Sequence, residues 1–384
     1  LNSIITSNYL EKHLHIIAFD VPYPVNYGGA IDVFYKLPAF QAQGIKIHLH
    51  CFDYGRGHQP ILNQYCESVQ YYHRSQGHKG FSSSLPYIVS SRINEELFTN
   101  LLKDDYPIFM EGVHCTYLLQ DPRFEKRKCF VRLHNIEYLY YKDLYKHTTH
   151  PIRKLYYWNE SRLLHTYEKK IAQKAIFWGV KEADNDVFRK EFGCKNIEEL
   201  ELYLPEWKVS CQEGIGSYCF YHGDLSVDVN EKAITWLLKE VISKIKIPIV
   251  IAGKNPSKKL RDLVYSNDYS CLVENPSDKE MDDMLAKAHI HLMPSFIETG
   301  MKVKLLNTLY NGRHIVVNEA TVANSGLEAA CHIATTANAF AEIIVQLFHQ
   351  PFTAEEIKLR KNLLEKRFNN EKNAIKQVGW IFGE

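Results

Sequence analysis

Short apolar runs alternate along this chain with longer stretches of helical spacing, and glycine or proline stands at most of the changes. The run "LHIIAFD" (14–20) has the continuous apolar character of a buried strand and ends in the turn-rich "VPYPVNYGG". A helix is expected from Ala30 to about Gln43, closed by Gly44, and "IKIHLHCF" (45–52) reads as a second strand. Strand, glycine loop, helix, strand is the opening unit of a doubly wound parallel sheet. Further strands are expected at "YPIFMEG" (106–112), "CFVRLHN" (129–135) and "AIFWGV" (175–180), with a helical region over 138–175 broken near His150-Pro151. The segment "EWKVSCQEGIGS" (206–217) has the turn character of a linker, after which the pattern restarts.

The second half offers strands at "YCFYHGD" (218–224), "PIVIAGK" (248–254), "HIHLMPS" (289–295), "HIVVN" (314–318) and "HIAT" (332–335). Helices are expected over 230–245, 279–288 and 298–312. The reading is an α/β fold of two Rossmann-like domains, residues 1–205 and 206–365. A terminal helix in 366–384 has nothing of its own to pack on, so it is expected to cross back to the first domain.

A chain of 384 residues is long for one core, which agrees with two domains. Its 45% hydrophobic and 24% charged residues are those of a globular protein and exclude disorder as the main state. The net charge of +1 leaves no field for nucleic acid, so any anion recognition is local. The 24 tyrosines point to surfaces that grip sugars or membranes. Nine scattered cysteines form no C-x-x-C pair, which fits free thiols in a reducing compartment. No run reaches the apolar length of a membrane span, and no secretory leader is expected before the first strand.

Three segments carry candidate chemistry. In "PYPVNYGGAIDVF", paired glycines at a strand-to-helix turn let backbone approach a ligand, although tight packing explains glycine equally well. The dinucleotide fingerprint G-x-G-x-x-G is absent, and Asp53 in "CFDYGRG" is a weak ribose candidate. In "VRLHNIEYLYY", His134 follows a strand end, where α/β sheets place ligands. In "ETGMKVKLLNTLYNG" the first helical turn carries Lys302 and Lys304, at the end where the dipole favours acids. Either a bound anion, phosphate above all, makes them welcome there, or the turn is simply solvated. The stretch "HPIRKLYYWNESRLLHTYEKK" reads either as a membrane-resting face or as core. Core is favoured, because no clean apolar face is visible.

In this order, "PYPVNYGGA", "LHNIEY", "YHGDLSVDVNEKA", "IAGK", the "ETGMKVKLLNTLYNG" box and the terminal helix resemble a GT-B glycosyltransferase. The family is the large retaining one, glycosyl transferases group 1, that includes bacterial mannosyl- and glucosyltransferases for surface polysaccharides. The resemblance covers nearly the whole chain and implies an acceptor-side domain (1–205) facing a nucleotide-sugar domain (206–365) across a cleft. It implies that Gly28 and Gly29 meet the donor diphosphate, that His134 lies beside the transferred sugar and that Glu298 grips sugar hydroxyls. Gly223, Lys302, Lys304 and Asn307 complete the donor site. Asn307 stands where the family usually has a second glutamate, and Asp224 and Asn230 where many members carry arginine and lysine. Lys302 and Lys304 are the expected replacements for that charge.

The implied activity is transfer of a sugar from a nucleotide-sugar donor to a glycan or lipid-linked acceptor, with retention. No metal or other cofactor is expected, since the two lysines can do a cation's work. The expected location is cytoplasmic, with peripheral contact at the inner face of the membrane, and no nucleic acid partner. An epimerase of the same architecture and a non-catalytic sugar-nucleotide-binding protein are the rival readings.

Overall fold

The computed structural model describes residues 11–383. The expectation that no leader precedes the first strand concerns residues outside the described ones. Seven parallel strands form the first sheet: β1 (Lys12–Ala18), β2 (Ile45–Asp53), β3 (Ser68–His73), β4 (Ile108–Glu111), β5 (Cys129–Leu133), β6 (Ile176–Gly179) and β7 (Ile197–Glu199), in the order β3-β2-β1-β4-β5-β6-β7. Six more form the second: β8 (Cys219–Asp224), β9 (Ile249–Lys254), β10 (Ser270–Glu274), β11 (Ile290–Leu292), β12 (His314–Val317) and β13 (His332–Ile333), in the order β10-β9-β8-β11-β12-β13. In both sheets the order reverses beside the first strand, which opens a crevice at the carboxyl ends.

The all-apolar runs became central strands because both faces of a parallel sheet are covered by helices. Leu14, Ile16, Ala18 and Phe130 face one layer of the first domain, while Ile17, Met110, Val131 and Phe177 face the other. The first layer is completed from the far end of the chain. The last helix, Asn370–Phe382, places Ala374, Val378 and Ile381 against it. Trp380 stacks on Trp178 at 5.6 Å between ring centroids, and the Tyr203 hydroxyl donates to Gln377 Oε1 at 2.9 Å. Four of the histidines sit side by side on β1 and β2, His13 against His48 and His15 against His50, each pair at 2.9 Å, and are structural.

Two expectations need correction. The helix expected over 298–312 spans only Val303–Asn311, with Lys302 as its N-cap. Glu298, Thr299 and Gly300 form a loop instead, with Gly300 at φ 71°, a left-handed conformation that ends any helical run. The helix Pro151–Ile171 is not the core element expected of its aromatic residues. Only Glu160, Leu164, Tyr167, Glu168 and Ile171 are buried, and its first two turns project Ile152, Leu155 and Trp158 into solvent.

Ile381 is 1% exposed in the first domain's core, some 180 residues beyond that domain's last strand. Ile381→Ala is expected to cost about 2–4 kcal/mol, the usual range for such a truncation, read from denaturant unfolding. A loss below 0.5 kcal/mol, roughly that of a surface change, would mean that the helix does not hold the domain together.

Candidate active site

The carboxyl ends of both sheets converge on one cleft of about 920 Å³. Residues after β1, β2 and β5 form one wall, and residues after β8, β9, β10 and β11 form the other. The start of the helix Val303–Asn311 stands in the second wall. Its N-cap residue makes no side-chain cap, so the first N–H groups remain open toward the cleft. Lys302 Nζ donates to the Thr299 carbonyl at 2.6 Å. Lys304 Nζ lies 3.4 Å from Asn230 Oδ1 and 5.3 Å from the centre of the Tyr221 ring. Neither ammonium has a carboxylate partner among the described ion pairs. Burial, with Lys181 and Lys304 nearby, lowers the Lys302 pKa to about 7; burial alone lowers that of Lys304 to about 8.

His222 closes the floor of this wall. It is 9% exposed, its Nδ1 has no hydrogen-bond partner, and burial, then Lys304, pushes its pKa down to about 3. A neutral imidazole and two buried lysines, the first only partly offset by Asp184 and Asp143, stand beside a helix start that has no side-chain cap. An anion would offset the lysines' charge.

The opposite wall carries a cation that the sequence reading did not single out. Asp53, weakly considered for a ribose, instead accepts the N–H groups of Gly55, Arg56 and Gly57 at 3.0, 2.9 and 3.1 Å. That turn presents Arg56, whose Nη1 donates to Asn26 Oδ1 at 3.0 Å and whose guanidinium lies 5.2 Å from the Tyr27 ring centre. Arg56 therefore braces the "PYPVN" loop from within the cleft. The signal was present in "CFDYGRG", but only the fold brings the β2 turn beside the glycine loop.

Gly28 lies at the gap between the domains, where a Cβ would stand 3.0 Å from Val303 Cγ2. Gly29 is not among the residues lining the cleft, and a Cβ there would meet Phe19 Cζ at 2.6 Å, so the Phe19 ring would have to move for any larger residue.

His134 is half-buried behind the cleft lining. Its Nε2 lies 3.2 Å from Glu111 Oε2 and its Nδ1 3.7 Å from Asp32 Oδ2. Both carboxylates are fully buried. Lys36 pairs with Glu111 and lies 3.7 Å from Asp32, and Arg132 Nε donates to Asp32 at 3.1 Å. Burial alone would raise the Asp32 carboxyl, but Arg132, Lys36 and His134 outweigh it and hold it below the usual range. Asp32, Glu111 and His134 lie close enough to surround a metal, yet the Lys36 ammonium already serves as their cation. The neighbouring Asn135, not His134, lines the cleft.

The loop of Glu298 is clamped to the first domain. Lys181 Nζ donates to the Glu298 carbonyl at 2.9 Å, and Gly300 N–H to Asp184 Oδ2 at 2.9 Å. The Glu298 side chain is exposed, while Thr299 lines the cleft. Of the expected site residues, Gly28 lines the cleft from the first wall, and Gly223, Lys302, Lys304 and Asn307 line it from the second. Gly29, His134 and Glu298 stand behind or beside it.

The arrangement has close counterparts among solved structures. Sucrose-phosphate synthase from Thermosynechococcus elongatus superposes with a TM-score of 0.72 at 14% identity, over 97% of this chain and 98% of that one. HepE from Anabaena, solved with UDP and glucose, gives 0.65 at 11% identity over 97% and 100%. WaaG, a glycosyltransferase involved in lipopolysaccharide biosynthesis, gives 0.67 at 11% identity over 97% and 100%. The fold is GT-B. Residues 216–350 match the family model of glycosyl transferases group 1, so the second domain carries that family's signature. An uncharacterized 44.6 kDa protein in the cps region of Klebsiella pneumoniae is 24% identical over 339 residues, 81% of this chain and 85% of that protein.

Gly300 seats the clamp. A Cβ there would overlap Asn135 Oδ1 and stand 2.6 Å from the His134 carbonyl oxygen, in a backbone conformation that L-residues rarely adopt. Gly300→Ala is expected to destabilise the protein by about 1–3 kcal/mol or more, measured by denaturant unfolding. An unchanged midpoint would show that the loop does not dock here.

Proposed function

We propose that this protein is a glycosyltransferase that moves a sugar from a nucleotide diphosphate donor to a hydroxyl acceptor, with retention of anomeric configuration. The observation that carries this reading is the anion-ready wall: two buried lysines that form no ion pair among the described residues, at a helix start without a side-chain cap, beside the buried His222 whose Nδ1 has no partner among them. The match of that same domain to glycosyl transferases group 1 supports it. So does the likeness to HepE, whose structure holds UDP and glucose.

In this mechanism the donor diphosphate lies over the start of the helix Val303–Asn311, with Lys302, Lys304 and the first backbone donors on its oxygens. Gly28 and Gly223 give its backbone-close approach, and Asn307 lies along the same wall. The bond from the anomeric carbon to the phosphate oxygen breaks, and a bond to the acceptor oxygen forms on the same face. The acceptor proton passes to the departing phosphate oxygen. Charge develops on the leaving group, so the lysines and the helix start supply the stabilisation without a metal ion. Asn135 and Thr299 flank the sugar from the domain seam, with His134 behind the first and Glu298 beside the second. Asp32 and Glu111 orient His134, and Asn135 presents that turn to the sugar.

The acceptor side is read from the projecting helix. Ile152 is 74% exposed and Leu155 66%, Lys154 and Arg162 stand on the same helix, and Lys142, Lys146 and Arg162 line a groove with the half-exposed Trp158. Exposed apolar side chains on a helix that also carries lysine and arginine suit the headgroup region of an anionic bilayer. The preceding helix, Glu137–His147, runs from the His134 turn and contributes Tyr140 to the cleft. A lipid-linked glycan at the membrane would therefore reach the site along it.

Lys304→Met tests the donor site. The variant is expected to bind UDP, GDP, ADP or dTDP, whichever the protein prefers, about ten- to a hundredfold more weakly by calorimetry. Its own stability should hold or rise, since a buried ammonium is removed from the positive end of a dipole. A bound diphosphate restores charge to lysines whose pKa values lie near 7 and 8, so binding at pH 8 is expected to take up protons. Equal affinity in variant and wild type, with no proton uptake, would remove the anion site. Turnover of a nucleotide-sugar to an epimer without any acceptor would assign the epimerase reading instead.

The membrane contact has its own test. The protein should sediment with anionic vesicles and not with neutral ones, and Leu155→Ser should weaken this severalfold. Absence of binding to either vesicle would leave a soluble glycan as the acceptor.

A further inference from the structure

The amino ends of β12 and β13, at the opposite end of the second sheet from the cleft, hold a group that the donor site does not use. His314 opens β12 and His332 opens β13, and Val316 pairs with His332 in the sheet. Alternate residues of a strand share a face, so His314 falls on the face of Val316 and beside His332. Their rings meet edge to face at 5.6 Å between centroids. The third member, Glu356, sits in the first turn of the helix Ala354–Leu364, which packs over this corner. One ligand atom from each of the three residues lies within 4.8 Å of the other two.

We infer that His314, His332 and Glu356 form a structural site for a divalent transition metal, zinc by the chemistry of its donors. Two of the three side chains are already held in place for it. His314 is 3% exposed, and its Nε2 lies 3.1 Å from the Gln350 carbonyl, which can only accept. The proton therefore belongs on Nε2, and Nδ1 is left with a bare lone pair. That Nδ1 has no hydrogen-bond partner and lies 3.3 Å from Glu356 Oε1, another lone-pair donor. A buried lone pair on His314 facing a carboxylate lone pair is unfavourable unless a cation stands between them. A ligating histidine whose second nitrogen donates to a backbone carbonyl is the usual outer-shell arrangement of a metal site.

Glu356 is fixed just as firmly. Its Oε2 accepts from Thr353 N at 2.9 Å and Thr353 Oγ1 at 3.1 Å in a capping box, so Oε1 alone is turned to the histidines. The nearby cation Arg360 spends its guanidinium on the carbonyls of Leu309, Gly312 and Arg313. Two imidazole nitrogens and one carboxylate oxygen suit zinc, whereas magnesium and calcium prefer an all-oxygen shell. His332 and Glu356 are only half-buried, which leaves room for a water as fourth ligand and a path for entry. Bound there, the ion would pin the helix Ala354–Leu364 to the edge of the sheet, remote from the chemistry.

The test is a zinc titration of the full chain, stripped with a chelator, against a chromogenic competitor, with magnesium in parallel. One equivalent of zinc should bind and raise the melting temperature, and magnesium should do neither. Cobalt in its place should give the visible absorption of a tetrahedral site. His332→Gln and Glu356→Gln should each weaken zinc about a hundredfold or more. Glutamine keeps the capping box, so Glu356→Gln should fold as the wild type does, which its apo melting curve checks. Failure to bind one equivalent, or undiminished binding in either variant, would overturn the site and leave His314 and Glu356 as an ion pair.

Discussion

The two domains of this protein touch where neither has room for a side chain. Gly300 of the second domain lies against the His134 carbonyl and Asn135, and Gly28 of the first lies against Val303. Because Val303 opens the helix that carries Lys304, this contact fixes the distance between the glycine loop and the helix start. Lys181 and Asp184 then hold the loop of Glu298 by its backbone, which leaves the loop's side chains free to face the cleft or solvent. The geometry of the candidate donor site is thus set by backbone packing, and its side chains need only supply charge.

Charge is distributed unequally across that contact. Behind the first wall, Asp32 and Glu111 are matched by Arg132 and Lys36, so the group is balanced within the protein and rigid. In the second wall, Lys302 and Lys304 form no ion pair among the described residues, Asp184 and Asp143 act on Lys302 only from a distance, and burial already weakens the lysines' hold on protons. A balanced network is a scaffold, and an unbalanced one awaits a ligand. This contrast separates the residues that build the cleft from those suited to bind an anion, although both kinds are charged and both are buried.

The projecting helix Pro151–Ile171 shows the limit of pattern reading. Its aromatic and aliphatic residues suggested core, because apolar side chains at helical spacing usually face inward. Its inward face is made instead by Leu164, Tyr167 and Ile171 in the second half, together with the buried carboxylates of Glu160 and Glu168. These accept backbone N–H groups of Tyr87, Glu137 and Tyr138. Carboxylates buried as helix caps make an inner face look polar, and the exposed first turns then look like the apolar side.

The sequence by itself determined the central strands, the helices after them and the restart of the pattern near residue 217. Long apolar runs and glycine turns encode these locally, through burial on both faces of a sheet. It left unnamed β3, β7 and β10, which are all edge strands, because an edge strand packs less and shows less apolar contrast. It also marked Lys302 and Lys304, since a charge at the wrong end of a helix is visible in one dimension. Tertiary structure alone decided that the 298–300 segment is a clamped loop, that the Phe19 ring packs against Gly29, that Arg56 enters the cleft and that His134 stands between two buried carboxylates. Each of these depends on residues distant in the chain meeting in space, and no local pattern records such a meeting.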